Sequence, residues 1–115
     1  MTKIAKVAGW EARPYVEART PFTNHNKQLF GRYETPLLYV VYSYGEHWPL
    51  FAWDGFDWYE NEEKYSLTTS KHRSQTHPLT PTIKLSRAQL MSLISNRWNL
   101  HRQMDDVQTR LGLAA

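Results

Sequence analysis

Leu37-Leu38-Tyr39-Val40-Val41-Tyr42-Ser43-Tyr44-Gly45-Glu46-His47-Trp48-Pro49-Leu50-Phe51-Ala52-Trp53-Asp54-Gly55-Phe56-Asp57-Trp58-Tyr59-Glu60 is the run that decides the fold class. In an extended chain Leu38, Val40, Tyr42 and Tyr44 fall on one side, and Leu37, Tyr39, Val41 and Ser43 on the other. Apolar and aromatic residues on both sides mark a central strand. Gly45-Glu46-His47 reads as a turn, and Trp48 to Trp53 as a second strand whose Pro49 suits a strand end. Asp54-Gly55 is a two-residue hairpin signal, because glycine accepts the positive φ of a type I′ turn. Phe56 to Glu60 then returns as a third strand, and Lys64 to Thr69 reads as a fourth.

Outward from this meander the pattern weakens on the N-terminal side and changes period on the C-terminal side. Residues 1–35 are broken by Pro14, Pro21 and Gly31 and carry no clear periodicity, so they are expected to be irregular. Residues 36–70 form the sheet. Residues 71–85, with two prolines and several hydroxyl residues, read as a polar loop. Residues 86–112 read as a helix: Ser86 with Gln89 makes a capping box, Leu85 and Leu90 bracket it as a hydrophobic staple, and Gly112 suits the C-terminal cap. The expected class is α+β, an antiparallel sheet of three to four strands with a long C-terminal helix, in one domain.

Heptads counted from Leu90 place Leu93, Leu100 and Val107 at one seam position and Arg97, Met104 and Leu111 at the other. Such a helix is about 37 Å long, more than a small sheet needs for cover, so it either projects and pairs or breaks near Asn96 or Asn99 into a helical hairpin, and one long helix is the favoured reading. Leu93, Arg97, Leu100, Met104, Val107 and Leu111 are therefore the candidate dimerisation residues, with Arg97 setting register in a homodimer. Ile94 and Trp98 widen the apolar stripe, which docks the first half on the domain.

Charge is unevenly spread. Residues 1–33 carry six Lys/Arg against two Glu, residues 34–70 one Lys against seven acids, and residues 71–115 seven Lys/Arg against two Asp. Basic flanks suit nucleic-acid phosphates, or they neutralise the acidic middle within the fold or across a dimer. The chain contains no cysteine, so disulfides, thiolate metal sites and cysteine nucleophiles are excluded. No window approaches a membrane span and the first residues lack an apolar signal core, so a cytoplasmic protein is expected.

Chemistry concentrates in Thr68-Thr69-Ser70-Lys71-His72-Arg73-Ser74-Gln75, directly after the aromatic ribbon. Ser70 or Ser74 with His72 lacks an orienting acid and a nucleophile elbow, which argues against hydrolysis. His72 and His77, five apart, do not match zinc spacings, and no metal or cofactor is expected. One reading has these hydroxyls bonding local backbone. The other has Thr69, Ser70, Lys71, His72, Arg73, Ser74 and Gln75 contact a partner, joined by the acidic residues Glu60, Glu62 and Glu63.

The pattern Val41-Tyr42-Ser43-Tyr44, Pro49, Trp58, then Lys64-Tyr65-Ser66-Leu67-Thr68-Thr69-Ser70-Lys71-His72-Arg73-Ser74-Gln75 resembles small uncharacterised proteins of bacteriophages and related mobile elements. The resemblance covers residues 38–76 and leaves the C-terminal helix unmatched. It implies a small phage protein at work inside a host cell, without an activity. The expected function is non-enzymatic binding of a host protein complex, as an inhibitor; the alternative is a nucleic-acid-binding module using the basic flanks and the Ser70–Gln75 segment.

Overall fold

The computed structural model describes residues 4–110, with side chains described through Asp106. Its centre is a seven-stranded mixed sheet: β1 (Ala5–Val7), β2 (Phe22–Asn24), β3 (Leu29–Thr35), β4 (Leu38–Ser43), β5 (Pro49–Trp53), β6 (Trp58–Asn61) and β7 (Ile83–Leu85), in that spatial order. Strands β2 to β6 are antiparallel, but β1 pairs with β2 and β6 with β7 in parallel. The expected antiparallel meander of three to four strands is thus corrected. The meander exists, and a parallel crossover extends it at each edge.

A parallel pair needs a crossover, and each carries a helix. A 3-10 turn (Gly9–Glu11) and α1 (Arg13–Glu17) link β1 to β2, and α2 (Leu67–Thr76) lies between β6 and β7. Both pairs point the same way and step in the same direction across the sheet. Right-handed crossovers therefore place both helices on one face, and the 3-10 turn and α1 do pack on α2. The long helix α3 (Arg87–Arg110) covers the opposite face.

Alternation along β4 builds both cores. Tyr39 and Val41 join Phe22, Leu29, Leu50, Phe51 and Trp58 under α1 and α2, while Leu38, Val40 and Tyr42 join Ala52 and Leu90 under α3. Every residue of β4 is buried, as a central strand requires. The edge strands β1 and β7 are three residues long with a lysine in the middle, Lys6 and Lys84, which discourages pairing with another sheet.

Further expectations are corrected at the level of elements. Residues 1–35 are not irregular: they supply β1, α1, β2 and β3. The connection after β5 is a four-residue turn, with Asp54 N bonding Asp57 O and β6 starting at Trp58. Asp54 Oδ1 accepts from the amides of Phe56 and Asp57, which stabilises this longer turn. The expected fourth strand and polar loop are replaced by α2 and β7. At α3 the capping box is present in full: Gln89 N donates to Ser86 Oγ at 3.1 Å and Ser86 N donates to Gln89 Oε1 at 2.9 Å.

Past Ile94, α3 runs along the end of the sheet, beside the turns that follow β3 and β5. Leu90 is buried and Met91, Leu93 and Ile94 are half-buried, whereas Trp98, Leu100 and Met104 are about half exposed. The first half of the helix docks and the second half projects.

Candidate functional site

Helix α2 contains the whole polar cassette, and its start is written in the sequence at Ser66. That residue is extended (φ −157°, ψ 171°) and its Oγ accepts from Thr69 N at 3.1 Å, an N-cap that closes the first turn. The buried side of α2 is Thr69, His72 and Thr76, at helical spacing. It meets β4 at Ser43, the one polar side chain in that strand's otherwise apolar and aromatic run. Ser43 Oγ lies 2.9 Å from His72 Nδ1 and 3.5 Å from Thr69 Oγ1, while Thr76 Oγ1 donates back to His72 O at 2.8 Å. The Tyr44 ring lies beside the imidazole, centroids 5.7 Å apart. A helix with no large apolar face is thus held to the sheet by a satisfied polar network, which specifies register more sharply than apolar packing does.

Both ends of the α2 crossover are tied down. At the C-terminal end, Arg13 of α1 donates to the carbonyls of Ser74 and His77. Near the other end, Arg73 Nη1 donates to Asn61 O at 2.9 Å. Asn61, fully buried, donates from Nδ2 to Pro49 O and accepts Glu63 N at Oδ1, both at 2.9 Å. Glu60 Oε1 accepts from Thr82 Oγ1 at 2.7 Å and lies 3.3 Å from Lys84 Nζ and 3.4 Å from His77 Nε2. Burial alone would raise the Glu60 carboxyl, but these donors and cations hold it below its ordinary value.

The residues expected to contact a partner therefore divide. Thr69, His72 and Glu60 are buried and bonded within the chain. Glu63 is exposed but accepts Arg87 N at 2.7 Å, capping α3, and Gln75 packs against Gly9. Arg73 is half-buried in its bond to Asn61. Lys71, Ser74 and Glu62 are exposed and Ser70 is half-buried, so the outer side of α2 is the part of the cassette a partner can reach. Among the expected dimer residues, Leu93 packs on the sheet and Arg97 Nη2 lies 3.3 Å from Asp54 Oδ2; Leu100 and Met104 are exposed. The Val107 side chain and Leu111 lie outside the described residues.

Comparison with protein families, with curated proteins and with solved structures finds no match.

What this arrangement can do follows from access. Ser43 is fully buried, so its hydroxyl beside His72 is not reachable by a substrate carbonyl. Among the described residues no three His, Asp or Glu side chains converge as a metal site requires. No helix among them is long and apolar enough to cross a membrane.

Sequence reasoning missed Ser43, Asn61 and Arg13. The signal for the first was present: a lone hydroxyl inside an otherwise apolar and aromatic strand needs a buried partner.

Burial, with the charge of Lys71 nearby, lowers the His72 pKa from its usual 6.5, so the folded state holds it neutral. Protons then bind the unfolded chain more readily, and the stability this residue contributes, complete above pH 6.5, declines as pH falls through the folded-state value. The urea midpoint should fall on acidification before the carboxylates titrate. His72→Gln, which offers Ser43 an amide and cannot charge, should flatten that part of the profile; an unchanged slope would refute the assignment.

Proposed function

We propose that this chain is a non-enzymatic protein-binding module, of the kind a phage deploys in the host cytoplasm against a host complex. Its contact surface is the outer side of α2 with the aromatic groups around it. The observation that carries this reading is the disposition of the arginines. Every arginine whose side chain is described is engaged within the chain: Arg13 on backbone carbonyls, Arg19 over Trp53 at 4.3 Å, Arg32 on Glu34 and Glu46, Arg73 on Asn61, Arg87 over Trp48, Arg97 on Asp54 and Arg102 over Trp98. Guanidinium groups that bind phosphate must be free to do so. These neutralise and pack their own fold instead.

Large apolar groups, in contrast, stand partly or wholly in water. Leu67, the first residue of α2, is 91% exposed, Tyr65 just before it 61%, and Trp10 on the adjoining 3-10 turn 76%. With Lys71 and Ser74 they compose an aromatic and aliphatic surface with a polar rim, the make-up of a protein contact.

Affinity capture from bacterial lysate with nuclease treatment tests this. The wild type should retain a nuclease-resistant protein, and Leu67→Asp should lose it with an unchanged unfolding midpoint, since that side chain packs on almost nothing. Tight, salt-sensitive retention of DNA or RNA, abolished by Lys71→Ala, would instead establish the nucleic-acid reading.

A further inference from the structure

A second surface lies at the far end of the sheet from the α2 N-terminus, where α3 runs past the turns joining β3 to β4 and β5 to β6. Leu37, Phe56, Leu100 and Met104 line a groove of about 260 Å³ with Asp54, Arg97 and Asp105 at its rim. Phe56 is 90% exposed and Leu37 75%, while Leu100 and Met104 are about half exposed. We propose that this groove is the homodimer contact, in which Phe56 of each copy enters the groove of the other.

Three observations choose a second copy as the occupant. First, an isologous contact needs a projecting group and a recess on one patch, and this patch has both. The recess suits one phenyl ring with room for neighbouring methyl groups.

Second, charge is ordered along the projecting half of α3, with Arg97 and Arg102 preceding Asp105 and Asp106. An antiparallel crossing of two copies centred between His101 and Arg102 brings Arg97 within a residue of the level of Asp105 of the partner subunit, and both residues line the groove. It sets Leu100 within a residue of the level of Met104 of the partner subunit. A parallel crossing would align like charges, at a cost.

Third, Arg97 is anchored at the groove. Arg97 sits on Asp54, and His101 Nε2 lies 3.6 Å from Asp105 Oδ2. Burial would raise the Asp54 carboxyl, but the Asp57 and Phe56 amides, the Tyr59 hydroxyl and Arg97 hold it low, so it stays an anion for Arg97. Arg97 stays half exposed while it holds Asp54, so the same guanidinium can reach a carboxylate of the partner subunit as well. The expected seam Leu93–Leu111 is thereby relocated: Leu93 belongs to the sheet core, and Phe56 and Leu37 take its place beside Leu100 and Met104.

Sedimentation of the full chain from micromolar to submillimolar concentration tests this. The wild type should pass from monomer to dimer, and Phe56→Asp should weaken the dimer by about 100-fold, as loss of a buried aromatic anchor does. Phe56 packs on little within its own chain, so the variant should keep the parent's unfolding midpoint. Because the chain has no cysteine, Met104→Cys adds a single thiol that a short bis-maleimide should link between copies. Leu67→Asp should leave the dimer unchanged, which separates this contact from the α2 surface. A wild type monomeric throughout the range, or a dimer indifferent to Phe56→Asp, overturns the proposal; so does a dimer dissolved by Leu67→Asp.

Discussion

Gly31→Ala should destabilise the protein by about 3 kcal/mol, the upper part of the range for overpacked cores, although it adds a single methyl group. Gly31 lies in β3 between Phe22 of β2 and Val41 of β4. A Cβ there overlaps the Tyr39 hydroxyl and comes within 2.7 Å of Phe22 Cε1. Neither neighbour can withdraw. Tyr39 is fully buried and its hydroxyl donates to Thr20 O at 2.8 Å, while Phe22 is 1% exposed.

Since small domains are stable by only about 5–15 kcal/mol, a loss of this size should be plain in the urea midpoint. Tyr39→Phe in the same chain removes the overlapping oxygen and should recover part of the loss, giving a favourable coupling in a double-mutant cycle. Gly31→Ala at parental stability would contradict the packing described for this face.

Asn61→Leu should cost a similar amount, about 2–4 kcal/mol, through polar groups left without partners. The swap keeps the branched side-chain skeleton and removes its polar atoms, and the bulkier methyl groups add to the cost at this fully buried position. Asn61 serves two distant backbone groups: the carbonyl of Pro49, where β5 begins, and the amide of Glu63, where the chain leaves β6 for α2. Leucine satisfies neither. Loss of the Glu63 bond should also loosen the segment that presents Glu63 to Arg87 N, so the start of α3 should exchange amide protons faster than in the parent. Asn61→Leu with an unaltered unfolding midpoint would show that these bonds do not hold the β6 exit in place.

How much of this was legible in the sequence depends on element length and on which residues faced inward. β4 and β5 carry long apolar runs, and α3 carries a capping box and a stripe that docks Leu90, Leu93 and Ile94. These elements were readable. β1, β2 and β7 have three residues each, too few to show a period, and their parallel pairing is a property of the crossovers and not of the strands. The fold class was misread for that reason, and because Gly31, Arg32 and Glu34 interrupt the apolar pattern of the seven-residue β3.

Helix α2 was hidden for a different one. Thr68-Thr69-Ser70 are poor helix formers, and Tyr65, Leu67 and Thr69 alternate as a strand would. Only the Ser66 cap and the spacing of Thr69, His72 and Thr76 give the helix away, and the latter is visible once a hydroxyl is accepted as an inward-facing residue. Arg97 teaches the same lesson: as an oddity in an apolar seam it suggested a dimer register, and in the fold it answers Asp54 across the groove.

The cassette is a helix fixed to the sheet by its inner hydroxyls and imidazole, and only its outer side is left for a partner. Native-state amide hydrogen exchange over Ser70 to Thr76 tests this most directly. Those amides should be protected nearly as well as those of β4, and Thr69→Val should lower their protection more than that of β3. Exchange of this segment at the rate of an unstructured loop would contradict the account.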